Sequence, residues 1–130
     1  MRDPISNLIT NLKNGSAAKK DAVTVPLSQF TETVVAALAR KGYVKPGVVH
    51  GKTISNKTLE IGLIYVNGDA RINDVKRVSK PSKRIYKGYS EIFSVKQGFG
   101  TTFVSTPKGI LSDDEVRKQK VGGEVLFQIW

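Results

Sequence analysis

Ile5, Leu8, Ile9 and Leu12 recur at i, i+3, i+4 and i+7, which puts them on one face of an amphipathic helix. Asp3-Pro4 suits its start, with the aspartate as N-cap and the proline at the first helical position, where a missing N–H costs nothing. Asn14-Gly15 is the predicted stop. Asp21 to Val25 reads as a short extended run closed by Pro26. Ser28 then caps a second helix through Phe30, Val34 and Leu38 to Gly42. Tyr43-Val44 begins a strand that Lys45-Pro46-Gly47 breaks or kinks. Leu59, Ile61, Leu63 and Tyr65 alternate cleanly, as in a half-buried strand. Residues 1–66 thus predict helix, strand, helix and then a two-stranded pairing.

The texture changes after Val66-Asn67-Gly68-Asp69, a turn signal. Ile72, Val75 and Val78 are spaced by three among β-branched neighbours, with Pro81 close behind, which predicts a bulged strand. Thr101 to Val104 predicts a strand preceded by Gly98 and Gly100. Ser112 to Glu115 is a capping box, Ser112 at the N-cap and Glu115 at N3, and it opens a short helix closed by Arg117, Lys118 and Lys120. Asp113 and Asp114 suit the first turn against the helix dipole. Val125, Phe127 and Ile129 then alternate to Trp130, a terminal strand that must be paired within a sheet. That strand aims Gly122, Gly123 and Glu124 beside the loop Ser105 to Gly109. The whole pattern predicts an α+β protein of two small α/β subdomains. The first spans residues 1–66, a turn or seam covers 67–71, and a β-rich subdomain with one short helix spans 72–130.

Charge adds what periodicity cannot. A net charge of +10 and a pI near 9.9 on 130 residues imply an anionic partner, nucleic acid first among them. With 39% hydrophobic residues the chain can still bury a core. An anionic membrane surface would need a basic amphipathic helix exposing Trp or Phe, and neither helix offers one. The first residues lack the apolar core of a signal peptide, so a soluble cytoplasmic or organelle-interior protein is expected. There is no cysteine, so no disulfide framework, thiolate zinc site or cysteine nucleophile. His50 is the sole histidine, so no metal site and no cofactor are expected. The carboxylates are scattered or explained by capping, so no enzyme is expected.

Between Lys76 and Lys87 lie Lys76, Arg77, Lys80, Lys83, Arg84 and Lys87 with no acid, interleaved with Tyr86 and followed by Tyr89. Cations beside exposed rings suit RNA, where the charges meet phosphates and a ring stacks on a base or sugar. The alternative is an edge strand kept soluble by lysines. Ser105-Thr106-Pro107-Lys108-Gly109 offers two short hydroxyls, a cation and a glycine, groups that reach phosphate, 2′-hydroxyl or base edge. It is no Walker loop, and Gly98-Phe99-Gly100 opens no nucleotide-binding GxGxxG, because Phe103 stands at the last glycine position. Gly122-Gly123 is where backbone can approach a partner most closely. On the first helix, Lys13 and Asn14 are candidate phosphate contacts, with a solvated polar face as the alternative.

At these residues the chain resembles the small-subunit ribosomal protein eight family nearly end to end. The resemblance rests on Asp3-Pro4-Ile5, Asn14-Gly15, Val78-Ser79-Lys80-Pro81, Arg84-Ile85-Tyr86, the Ser105–Gly109 loop, and Gly122-Gly123-Glu124 before the last strand. It implies a two-domain α/β protein without catalysis that binds the central domain of small-subunit ribosomal RNA early in assembly. It implies main contacts from Tyr86, Ser105, Thr106, Lys108, Gly109, Gly122, Gly123 and Glu124, and secondary ones from Lys13 and Asn14. Lys80, Lys83 and Arg84 join them from the basic run. The Thr106 hydroxyl is expected to carry preference for the cognate site, and Lys108 to carry affinity. Neighbouring small-subunit proteins, five and twelve among them, are implied partners, with no obligate homo-oligomer. Bacterial members can also repress their own messenger at a site that mimics the ribosomal one. The chain departs from the family pattern at Pro107, where serine is common, and at Ser82, where glycine is usual and a type I turn is now expected. Asn11 stands where a basic residue is frequent.

Overall fold

The computed structural model describes residues 4–51, 53, 56–93 and 100–130. Asp3, the predicted N-cap, and Gly98, the predicted flank of a strand, lie outside the described residues. The chain gathers into two compact units, one up to Asn73 and one from Asp74.

In the first unit, α1 (Pro4–Ala17) buries Ile5, Leu8, Ile9 and Leu12, the predicted face. It does not stop at Asn14-Gly15. Gly15 is buried inside the helix, where a Cβ would overlap Val23 Cγ1 and lie 3.1 Å from Leu63 Cδ1. The glycine is there for packing, and the helix ends a turn later. Lys19 takes a left-handed φ of 55°, and the Lys20 N–H donates to the Gly15 carbonyl at 2.9 Å. β1 (Ala22–Pro26) follows, then α2 (Gln29–Arg40), whose N-cap Ser28 accepts from the Thr31 N–H at 3.1 Å.

β2 (Val48–His50) and β3 (Thr58–Gly62) pair antiparallel, so the partner strand lies beyond Lys45-Pro46-Gly47 and not at Tyr43-Val44, and β1 joins the other edge of β3 to make a three-stranded sheet where a two-stranded pairing was expected. Val23 opposite Ile61 and Val25 opposite Leu59 form its buried face. Each such side chain contributes on the order of 1.5–3 kcal/mol by leaving water. Leu63 keeps the alternation through a bridge to Val44. Val66 to Asp69 is a hairpin turn between β4 (Tyr65–Val66) and β5 (Asp69–Ala70). Positive φ at Asn67 and Gly68 gives the type I′ geometry that Asn-Gly favours.

The second unit is built on β10 (Gly123–Ile129). β6 (Val75–Arg77) and β7 (Tyr86–Lys87) both pair with one side of it, and β8 (Thr101–Thr106) pairs with the other. β9 (Gly109–Ser112) continues the sheet beyond β8. The predicted irregularity near Val78 is real. Val78 and Ser79 N–H both donate to the Leu126 carbonyl, at 3.0 and 3.3 Å, and the β10–β8 register shifts between Val125 and Phe127. Ile92, Val104, Leu111, Val116 and Val125 form a buried cluster, and the Phe103 and Phe127 rings sit 5.3 Å apart.

α3 (Asp113–Gln119) has its capping box, with Glu115 accepting from the Ser112 N–H at 3.0 Å. Asp113 does more than favour the dipole. Buried, it accepts from the Thr102 N–H at 3.1 Å and from Arg117 at 2.9 Å, while Arg117 also donates to the Ile92 carbonyl at 2.8 Å. Three separate segments are tied at that carboxylate. The terminal strand is paired to its end, where Trp130 and Asp74 exchange backbone hydrogen bonds at 3.1 Å.

Candidate nucleic-acid interface

The N-terminal half of β10 is the floor of the site. Tyr86 on β7, Glu124 on β10 and Ser105 on β8 stand directly opposite one another across three strands. Opposed residues of an antiparallel ladder share a face, so a ring, a carboxylate and a hydroxyl form one row. Tyr86 is 69% exposed. Gly123 pairs with Lys87 in the next row.

Close approach at the glycine pair is taken up by the chain itself. A Cβ on Gly123 would overlap the Ser105 carbonyl oxygen and lie 3.2 Å from Thr106 Cα. One on Gly122 would lie 2.5 Å from the Lys87 carbonyl oxygen and 2.8 Å from Gly88 Cα. The pair lets β7, β10 and β8 close on each other, which sets the spacing of the row.

Ser105 to Gly109 is a hairpin tip, not the loop expected from its composition. Ser105 and Thr106 end β8, Pro107 and Lys108 make the corner, and Gly109 opens β9 with φ of 111°. Proline fits the first corner position, where its fixed φ is already right. The Thr106 hydroxyl accepts from the Lys108 N–H at 3.1 Å and donates to the Gly109 carbonyl at 2.8 Å. It is committed to shaping the turn. The Ser105 hydroxyl and the Lys108 ammonium have no side-chain partner among the described residues.

A second projection leaves the opposite side of β10. β6 and β7 run along the same edge in the same direction, but residues 78–85 stand where β10 has only Val125 and Leu126. The surplus is ejected as a tab. Buried Ser79 closes its base, its hydroxyl accepting from the Ile85 N–H at 2.9 Å and donating to the Ile85 carbonyl at 3.3 Å. Lys80 and Lys83 exchange backbone hydrogen bonds at 3.0 Å in each direction, with Pro81-Ser82 at the corner. Ser82 is not at positive φ, so the type II turn a glycine would allow does not form. Lys80 and Lys83 are exposed at the tip. Arg84 turns back toward the sheet, its Nη1 3.1 Å from one Glu124 carboxylate oxygen and 3.5 Å from the other.

The geometry thus gathers Tyr86, Ser105, Glu124 and the glycine pair on three adjacent strands, with Lys108 and Gly109 at the adjoining hairpin tip and Lys80, Lys83 and Arg84 on the tab. Lys13 and Asn14 are exposed on α1 in the first unit. Asn11 donates to the Asn7 carbonyl at 2.8 Å along that helix. Sequence reasoning missed Phe93, 68% exposed. The adjacent apolar pair Ile92-Phe93 could have flagged it, because neighbours in extended chain face opposite ways and Ile92 is buried. His50 pairs with Glu60 at 2.9 Å on the exposed face of the first sheet. Among the described residues no group of three metal-ligating side chains occurs, and no helix is long and apolar enough to cross a membrane.

The family model for Ribosomal protein S8 matches residues 3–130 of the chain. Small ribosomal subunit protein uS8 of Erythrobacter litoralis is 45% identical over 130 residues, covering 100% of this chain and 98% of that protein. The uS8 protein of Zymomonas mobilis is also 45% identical, with the same coverage. That of Mycoplasmopsis agalactiae is 39% identical over 98% of this chain and 97% of its own length.

Proposed function

Because the chain belongs to the ribosomal protein S8 family, and so is a non-enzymatic structural constituent of the small ribosomal subunit, we propose that it binds the central domain of small-subunit ribosomal RNA through the second unit. The observation that carries this reading is the Tyr86–Glu124–Ser105 row set between two lysine-bearing turns. Lys80, Lys83 and Lys108 neutralise phosphates, a sequence-independent term that releases counterions. Tyr86 stacks on an exposed base or sugar, while Ser105 and Glu124 meet 2′-hydroxyls and base edges. An irregular helix whose minor groove or bulge presents those groups fits the row, and a regular duplex does not. Lys13 and Asn14 add a secondary contact from the first unit.

Titration against a transcribed central-domain fragment and a scrambled duplex, at several salt concentrations, tests the reading. The expected result is tight binding to the fragment with a preference that survives added salt. Equal and steeply salt-sensitive binding to both would reduce the site to a generic basic patch.

A further inference from the structure

We propose that Arg84 is a positioning residue for Glu124 and not a phosphate contact of its own, so that the ion pair governs discrimination between RNAs; this rests on the ribosomal-RNA reading above. Glu124 occupies the central strand of the row, with its side chain only 14% exposed. An ionised carboxylate accepts hydrogen bonds and donates none, so on RNA it can engage only amino, imino or 2′-hydroxyl donors. Against a phosphate it is repulsive, and more so as docking removes water.

Left alone, that carboxylate would oppose any approach of a polyanion. Arg84 removes this obstacle without filling the site. Its guanidinium reaches the carboxylate through Nη1, while the arginine side chain remains 54% exposed. The backbone holds the two together, since the neighbouring Ile85 carbonyl accepts from the Val125 N–H at 2.9 Å. Remaining lone pairs of the carboxylate stay available to an RNA donor. The pair carries no net charge, so it adds nothing to counterion release. Lys80, Lys83 and Lys108, whose side chains have no partner among the described residues, supply that term. Lys80, Lys83 and Lys108 thus act as affinity groups, while Arg84 and Glu124 form one neutralised acceptor that rejects the wrong RNA.

A double-mutant cycle tests the division. Arg84→Gln, Glu124→Gln and the double variant are compared by the ratio of affinities for the central-domain fragment and the scrambled duplex, at each of several salt concentrations. Arg84→Gln is expected to lower that preference about tenfold in the otherwise unaltered chain, and by less than about twofold when Glu124 is already Gln. Arg84→Lys, which keeps a cation beside the carboxylate, is expected to retain most of the preference. Thermal melting of every variant establishes that it is folded. An equal effect of Arg84→Gln in both backgrounds, with a salt slope lower by about one on both RNAs, would mark a simple phosphate contact and overturn the proposal alone. Lack of any preference in the unaltered chain would overturn both this proposal and the ribosomal-RNA reading.

Discussion

The two projections of the second unit use the same corner and different foundations. Lys80-Pro81-Ser82-Lys83 and Thr106-Pro107-Lys108-Gly109 each place a proline at the first corner position, each expose lysine, and each are braced by one hydroxyl. The hairpin tip grows out of a continuous ladder, from Phe103 opposite Ser112 to Thr106 opposite Gly109. The tab leaves an edge strand and is closed by the Lys80–Lys83 exchange and by Ser79. Shape at the hairpin is therefore inherited from the sheet, whereas the tab is closed by its own Lys80–Lys83 exchange and by the buried Ser79 side chain. Equal lysines on unequal supports should respond differently when the support is removed.

The largest effect is expected at Gly123, because both projections lean on the strand spacing it permits. Gly123→Ala drives a methyl into backbone that cannot rotate away, and should cost upwards of about 3 kcal/mol in urea unfolding. Ser79→Ala comes next. It leaves the half-buried Ile85 N–H without its acceptor, while the Ile85 carbonyl keeps the Val125 N–H, and should cost about 1–3 kcal/mol while lowering RNA affinity through the tab. Thr106→Val removes the corresponding hydroxyl from an exposed turn whose ladder persists, so a loss of about 0.5–1.5 kcal/mol is expected. A tab less sensitive than the hairpin would break the comparison. Lys108→Gln should leave stability within about 0.5 kcal/mol and lower the salt slope by about one on cognate and scrambled RNA alike. Ser105→Ala is the smallest change and the sharpest in kind, since it should reduce preference for the cognate fragment with the slope unchanged.

Those assignments differ from what the residues alone implied, and the reasons are local. The hydrophobic faces of α1 and α2, the capping box at Ser112, the turn at Asn67-Gly68 and the terminal strand were legible, because each depends on residues a few positions apart. Gly15 was misleading. Within a helical pattern a glycine reads as a stop, and the side chains that require it, Val23 and Leu63, lie elsewhere in sequence. Gly122-Gly123 gave the right signal, close approach, with the approaching backbone belonging to β7 and β8. Thr106 and Ser105 are both small hydroxyls to the eye. Only the turn geometry shows that the Thr106 hydroxyl is engaged, while that of Ser105 has no partner among the described residues. The tab was invisible because nothing in Val78 to Ile85 states that the chain on either side pairs with the same strand. The placing of Glu124 at the site came from resemblance; its pairing with Arg84 came from the structure.

The most direct test of the surface itself is to follow backbone amide resonances of the isotope-labelled chain during titration with the central-domain RNA fragment. The largest shifts are expected at residues 79–87, 105–109 and 122–124, with smaller ones at Lys13 and Asn14. Shifts concentrated in the first unit, with the Tyr86–Glu124–Ser105 row unmoved, would contradict the assignment of that row as the RNA-reading face.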